Sequence, residues 1–295
     1  MKTAVAILVN FKAAQETVRC LRALEKGTVK PQCVYVVDNA STEESQKTFG
    51  NEAFELSVKW IWNTENRGFA AGCNQGIRAA QADGFDGFFW LLNNDTAPQE
   101  DALEKLLEKA SETGAGITGS QITDMDGNFL GGVGFVNPQM ANVRRANSPT
   151  EPGFDYVEGS SFLISPECLQ KVGPMCEDYF LYFEENDYCC AAKKMGFGLA
   201  WATESIVRHS VGTSTKSELG KGKVPYFIDC LMIRNRVHFA CKFGFPRVWV
   251  LLGLFISLGI RLKRLQPQRV WTILRITMSP NAFKNFVQKN GGYYA

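Results

Sequence analysis

An α/β fold built on a doubly wound, mostly parallel sheet flanked by helices is predicted from three observations. Short unbroken apolar runs alternate with stretches of helical spacing over the first hundred or so residues, the pattern of parallel strands joined by helical crossovers. Each apolar run stops abruptly at Asn or Asp, the residues that end buried strands and open turns. The 295 residues are 45% hydrophobic and 21% charged, a composition that buries a substantial core. That length suits one large α/β domain, or one domain with an appendage.

The elements follow in order. Residues 4–9 form a buried strand ended by Asn10-Phe11, and residues 14–26 carry Val18, Leu21 and Leu24 at helical spacing. A second buried strand, 34–37, ends in Asp38-Asn39-Ala40-Ser41, and a helix over 42–49 follows. Residues 58–62 make a third strand ended by Asn63. Glycine-rich 66–74 opens a helix running to about Ala82. Phe88-Phe89-Trp90-Leu91-Leu92 is the fourth strand, closed by Asn93-Asn94-Asp95, with a helix over 98–111 after it. Right-handed crossovers place all four strand ends on one edge, so Asn10, Asp38, Asn66 and Asp95 are expected to converge there. Beyond this point the character changes. Residues 117–136 alternate and are glycine-rich, 156–164 read as one strand, 188–195 as a helix stopped by Gly196, and 199–207 as a strand. From Val224 on the chain reads as helical, basic and increasingly apolar.

Several function classes are excluded. A net charge of +2 gives no case for a nucleic-acid partner. Nine scattered cysteines without a CxxC pair speak against a disulfide framework or a zinc site and for a reducing compartment. No secretory signal is expected at Met1-Lys2-Thr3, and no apolar run reaches the ~18–20 residues of a membrane span. The first strand is not followed by GxGxxG, and no Walker A motif occurs, which removes the dinucleotide and P-loop classes.

The candidate chemistry lies elsewhere. Asp95 at the end of a buried strand can hold a hard divalent cation, and through it a diphosphate. The alternative is that Asn94-Asp95-Thr96 turns the chain and caps the next helix. Gly68 and Gly72 allow close backbone approach to a ligand, or simply start a helix. Glu184-Glu185-Asn186-Asp187 follows Tyr179-Phe180-Leu181-Tyr182-Phe183. Carboxylates beside aromatic walls gain proton affinity, which suits a general base better than a solvated helix face. His209, one of two histidines, stands at a strand end in Arg208-His209-Ser210 and competes for a metal or phosphate contact. His238 reads as structural. Asp124-Met125-Asp126-Gly127 reads as a turn despite its literal DxD.

Taken together these stretches resemble family 2 glycosyltransferases of the GT-A fold, most closely the rhamnosyltransferase-like branch, over roughly residues 4–214. The carrying motifs are Val9-Asn10-Phe11, Val37-Asp38-Asn39-Ala40-Ser41, and Asn66-Arg67-Gly68-Phe69-Ala70 with Gly72 and Asn74. Leu92-Asn93-Asn94-Asp95, Phe180 through Asp187, Gly196-Phe197, and His209 with Gly212 and Ser214 complete them. The resemblance implies that Val9, Asn10, Phe11, Asp38, Asn66, Gly68, Asn74, Asn93 and Asn94 line the donor nucleotide, with Asp38 accepting from the pyrimidine. It implies Asp95 and His209 at a Mg2+ or Mn2+ ion, Glu185 as catalytic base, and Glu184 and Asp187 supporting it. This chain departs from the pattern in having Asn93 where Asp is frequent, and Ala191 where relatives often carry Arg.

The implied activity is inverting transfer of a sugar, L-rhamnose from dTDP-rhamnose in the first instance, to a saccharide acceptor, in bacterial surface polysaccharide synthesis. A UDP-hexose or UDP-N-acetylhexosamine donor is the alternative. A non-catalytic sugar-nucleotide sensor would lack the base, and a membrane scaffold would not need the nucleotide motifs. The expected division is a catalytic domain over 1–223, split at 114 into nucleotide and acceptor halves, and a helical segment over 224–295. Within the latter, residues 248–260 are too short to span a bilayer and too apolar for an exposed helix. Either this stretch buries its apolar side against the catalytic domain or a second subunit as an ordinary core helix, or it lies in the membrane interface with Trp249 and Phe255 in the headgroup boundary and Arg247, Arg261, Lys263, Arg264, Arg269 and Arg275 facing anionic lipid; the basic clustering favours the second. A lipid-linked acceptor and peripheral attachment to the cytoplasmic face of the plasma membrane follow as expectations.

Overall fold

The computed structural model describes residues 3–210 and 224–293. The first half follows the expected alternation: β1 (Ala4–Asn10), α1 (Ala14–Glu25), β2 (Val34–Asp38), α2 (Glu43–Gly50), β3 (Val58–Trp62), α3 (Phe69–Ala82) and β4 (Phe88–Leu92). β1, β2 and β4 are buried at every position, as strands covered on both faces must be. Thr42 caps α2 in a reciprocal box with Ser45. The strands pair in parallel in the order β3-β2-β1-β4.

After β4 come β5 (Thr96–Pro98), α4 (Ala102–Thr113), β6 (Ile117–Thr123), β7 (Phe129–Gly131), β8 (Val133–Val136), β9 (Val143–Arg145), β10 (Tyr156–Val157) and β11 (Ser161–Ile164). They are followed by α5 (Pro166–Val172), α6 (Glu184–Lys194) and β12 (Leu199–His209). The large sheet, nine strands in all, continues as β4-β11-β6-β12-β5 with mixed directions. β11 runs antiparallel to both β4 and β6, and β12 parallel to β6. A small sheet, β10-β8-β9, stands apart from it.

Three local expectations change. Residues 96–98 pair with β12 instead of opening a helix, so α4 begins only at Ala102. Residues 156–164 split: β10 joins the small sheet, β11 enters the large one, and Glu158-Gly159-Ser160 crosses between them. The helix read over 188–195 begins at Glu184, so the acidic residues form its first turn.

Two apolar cores cover the two faces of the large sheet. A third joins residues 179–183 to the helices α7 (Tyr226–Phe243), α8 (Arg247–Lys263), α9 (Pro267–Met278) and α10 (Pro280–Asn290). Asp229 on α7 closes on Arg261 of α8, and lies 2.8 Å from Arg269 of α9. Those two arginines were expected at a lipid surface. Their charge is instead engaged by a buried carboxylate, because an unpaired Asp229 would be too costly inside the bundle. No helix among the described residues is long and apolar enough to cross a membrane.

Candidate active site

A buried polar network underlies the site. Asn10 Nδ2 donates to Asp38 Oδ1 at 2.7 Å, and Ser45 Oγ donates to Asp38 Oδ2 at 2.7 Å. Asn10 Oδ1 accepts from Thr17 Oγ1 at 3.0 Å and from Asn94 Nδ2 at 3.1 Å. These contacts hold the turn after β4 against the start of α1. The next residue, Asp95, is set by β5. That strand pairs antiparallel with the end of β12, Thr96 opposite His209. Asp95 Oδ1 and His209 Nε2 consequently lie 2.9 Å apart, and the Ser210 N–H and hydroxyl donate to the Asp95 carbonyl.

On the facing wall, the loop into α6 carries three non-glycine residues with left-handed backbone: Phe180, Tyr182 and Phe183, with φ of 66°, 68° and 78°. Such conformations are strained and persist only where surroundings enforce them. Here Asn235 of α7 enforces them. It is fully buried, and its Nδ2 lies 2.9–3.0 Å from the carbonyls of Tyr179, Leu181 and Tyr182. Arg234 donates to the Asp178 carbonyl at 2.7 Å. The Phe180 carbonyl accepts from Phe69 N–H, and a Cβ on Gly68 would come within 2.4 Å of the same oxygen. Gly68, with φ of 88°, therefore admits the catalytic loop's own backbone. Gly72 likewise admits the Val9 side chain. Both glycines were expected to admit a ligand.

Between the two walls lies a cavity of about 340 Å3. It brings together Val9, Phe11, Asn93, Asn94, Asp95 and His209 on one side with Glu184 and Glu185 on the other. The remaining expected residues do not line it. Asn10 and Asp38 are 0% and 1% exposed and spend their polar atoms on the network below. Asn66 accepts from Gly68 N–H and donates to the Gly291 carbonyl. Asn74 donates to the Met175 carbonyl and to Glu177, pinning the segment before the catalytic loop. Asp187 points away, accepting from the Tyr179 hydroxyl at 2.7 Å and from Lys242 of α7. It anchors the third core and does not face a substrate. His238 packs edge-on against Tyr179. Gly212 and Ser214 lie outside the described residues.

Burial pushes the Glu185 carboxyl up to about 7, with the nearby Glu158 charge adding to the shift and Arg145 opposing it. Glu184 is raised further by burial and by the charge of Glu185, and its Oε2 has no hydrogen-bond partner. The site thus holds one carboxyl able to ionise near neutrality beside a second whose burial also favours its neutral form.

Arg145, Tyr156, Glu158 and Tyr182 also line the cavity. Arg145, Tyr156 and Glu158 escape a reading of the sequence because β9 and β10, which carry or adjoin them, are only three and two residues long and pair non-locally. Asn235 escapes it too, although a polar Arg234-Asn235 step in an apolar helix is a signal that could have found it.

The Asp95 carboxylate oxygen and the His209 imidazole nitrogen form a mixed O/N donor pair, and Asn93 lines the same cavity. A carboxylate with an imidazole is a donor set that suits a divalent cation.

A strand-end carboxylate and imidazole thus share one cavity with a helix-borne carboxylate, on a mixed sheet of the GT-A fold. Solved structures agree in fold. GalNAc-T7, crystallised with UDP, GalNAc and Mn2+, superposes with a TM-score of 0.60 at 16% identity, covering 81% of this chain and 48% of that one. The mannosyltransferase PcManGT of Pyrobaculum calidifontis, in complex with GDP-Man and Mn2+, gives 0.57 at 13%, covering 98% and 87%. The sequence profile "Glycosyl transferase family 2" matches residues 5–163, over half the chain, and the chain belongs to that family. Among its relatives is the low-salt glycan biosynthesis hexosyltransferase Agl10 of Haloferax volcanii, 23% identical over 199 residues, spanning 64% of this chain and 61% of the relative. Another is the N-acetylglucosaminyl-diphospho-decaprenol L-rhamnosyltransferase of Mycobacterium tuberculosis, 24% identical over 236 residues, spanning 71% and 76%.

Proposed function

We propose that this chain is an inverting glycosyltransferase that moves a hexose from a nucleotide-sugar to a saccharide on a lipid-linked carrier, in bacterial surface polysaccharide synthesis. The observation carrying this reading is that Glu185, with its carboxyl poised near pH 7, opens onto the same cavity as the Asp95–His209 pair. Inverting transfer is one in-line displacement at the anomeric carbon. It needs a base at the acceptor hydroxyl on one face and charge stabilisation at the leaving diphosphate on the other.

Glu185 takes the proton of the attacking hydroxyl. Burial and the neighbouring Glu185 charge favour the neutral form of Glu184, which disfavours a second charge beside the base. Asp95 and His209 would hold a divalent cation, which when bound neutralises the departing nucleoside diphosphate. Asn93 and Asn94 offer amides at the same end, and Val9 and Phe11 supply an apolar wall for the donor. Asp38 acts through Asn10 and Asn94, fixing the turn that presents Asp95.

The donor we propose is dTDP-L-rhamnose, consistent with the name of the mycobacterial relative. The chain works at the cytoplasmic face of the membrane. In support, α8 buries Val250, Leu254 and Leu258 against the bundle while leaving Val248, Leu251, Phe255 and Leu262 exposed, an apolar stripe at helical spacing on the solvent side. Trp271 and Met278 of α9 are 68% and 82% exposed. Arg247, Lys263, Arg264 and Arg275 are the exposed cations beside them.

The test is a donor screen by thermal shift with Mn2+ present, followed by turnover. Stabilisation by dTDP-rhamnose with transfer to an acceptor supports the reading. Stabilisation by a UDP-hexose alone moves the donor within the class, and binding only to GDP- or CMP-sugars overturns the donor assignment.

A further inference from the structure

Arg145 has no part in the reaction as derived so far. Among the described residues it is the one Lys or Arg lining the cavity, whose walls also carry Asp95, Glu158, Glu184 and Glu185. Its Nε lies 3.2 Å from Glu158 Oε2. Glu158 is itself buried, and its Oε1 accepts from Gly132 N–H at 3.0 Å. A Cβ on Gly131 would come within 2.3 Å of that oxygen, so the glycine pair makes room for the carboxylate that aims the arginine. The Arg145 side chain remains 53% exposed, and its two Nη groups have no hydrogen-bond partner among the described residues. This is a guanidinium held at its Nε by a buried carboxylate in the cavity lining, and the guanidinium fork is the form in which arginine grips phosphate.

Its place in the fold indicates which phosphate. Arg145 lines the cavity with Glu158, Tyr156 and Tyr182, and stands near enough to Glu185 for its charge to oppose the rise of that carboxyl. It ends β9, whose hairpin tip packs on the C-terminal helices. Asn142 accepts from Arg236, Met140 contacts Gly253 of α8, and Ala141 is buried with Val250 and Leu254. Arg145 is three residues from Asn142, about 10 Å along an extended strand. The exposed apolar stripe lies on the other side of α8.

We propose that Arg145 binds a phosphate or diphosphate on the acceptor, so that the acceptor is a saccharide joined to its lipid through that anion. This rests on the glycosyltransferase reading above. A sugar whose hydroxyl meets Glu185 then has its anionic linkage beside Arg145 and its chain directed toward α8. Among the described residues lining the cavity, no other lysine or arginine could take that part.

The experiment compares two acceptors with the same N-acetylhexosamine, one carried on a short prenyl diphosphate and one as a neutral alkyl glycoside. Wild type, Arg145→Lys, Arg145→Ala and the double variant Arg145→Ala/Glu158→Gln are assayed, the last leaving no orphaned carboxylate. The proposal predicts that both alanine variants lose roughly 10- to 100-fold in kcat/KM on the diphosphate acceptor, the worth of a charge-assisted contact pair. Lysine should lose less, the alkyl glycoside less than about threefold, and the donor KM should not move. Equal losses on both acceptors with a displaced pH profile would mean that Arg145 acts on Glu185, overturning the proposal. A rise in donor KM alone would reassign it to the donor diphosphate. Binding of the prenyl diphosphate saccharide without donor, by calorimetry, decides the matter even if no transfer occurs. Equal affinity in wild type and Arg145→Ala then contradicts the anion site, whereas absent turnover contradicts only the enzymatic reading.

Discussion

Glu185 and Glu184 are neighbours in the chain, yet their environments separate their roles. Glu185 opens to the cavity with its carboxyl raised to about 7, so kcat/KM should rise with pH through an apparent value near 7 as the base ionises. Glu185→Gln keeps shape and removes basicity. It should lower kcat at least ~100-fold while donor binding by thermal shift stays nearly unchanged. The same loss in Asp187→Asn without loss in Glu185→Gln would contradict this. Glu184 gives a stability prediction. Its folded carboxyl is raised above the unfolded value, so the folded state holds a proton that the unfolded chain releases. Its contribution is fully present below the unfolded value near 4.5 and is lost as pH rises through the folded one. Relative to its own value at pH 6, the Tm of Glu184→Gln should improve on wild type as pH is raised to 9. A constant offset would show that Glu184 is not raised. Asp95 and Glu185 were legible in the sequence because each interrupts an apolar or aromatic run. Asp38 and Asn66 were legible as polar residues at strand ends and turns, and Asn74 as one in a helix opening, but sequence position does not tell a side chain facing a ligand from one holding a loop.

At the scale of elements, the site depends on two pairings that local sequence does not carry. One is β5 with β12, a three-residue contact that sets Asp95 against His209. A run as short as Thr96-Ala97-Pro98 reads naturally as a helix entry. The other is α7 with the catalytic loop, through Asn235. Asn235→Ala leaves three carbonyls without their donor and the strained backbone unsupported. It should cost roughly 1–3 kcal/mol for the lost buried contacts, seen as a lower Tm. It should also lower kcat, because Phe183 and Glu184 follow directly. Unchanged Tm and kcat would mean that the loop holds its own conformation. β1, β2 and β4, by contrast, were legible because strands buried on both faces are continuous apolar runs, whereas β3 stands at the sheet edge, partly exposed, and carries Lys59.

Over the whole molecule, α7 to α10 share a core with Tyr179, Phe180 and Phe183, so the C-terminal helices are part of the machinery that shapes the catalytic loop. A truncation near residue 243 would disturb that core as well as any membrane contact. Surface substitutions make the cleaner test. Leu251→Glu with Phe255→Glu changes two residues 52% and 66% exposed, so Tm should shift little. Co-sedimentation with anionic vesicles at low salt should drop sharply if this face meets lipid. If the wild type itself stays in the supernatant, or if the variant binds vesicles equally well, the membrane reading fails. If the wild type is a dimer and the variant a monomer, a second copy covers the stripe.

The central claim is that Glu185 and the Asp95–His209 pair serve opposite ends of one transfer. Single-turnover transfer of labelled sugar from the donor selected by the screen to a prenyl diphosphate saccharide, with Mn2+ present, tests it most directly when wild type, Asp95→Ala and Glu185→Gln are run in parallel. The account predicts transfer with inversion by wild type, and loss in both variants. Donor affinity should fall in Asp95→Ala and hold in Glu185→Gln. Transfer at the wild-type rate in either variant, or a product that retains the donor's anomeric configuration, would contradict it.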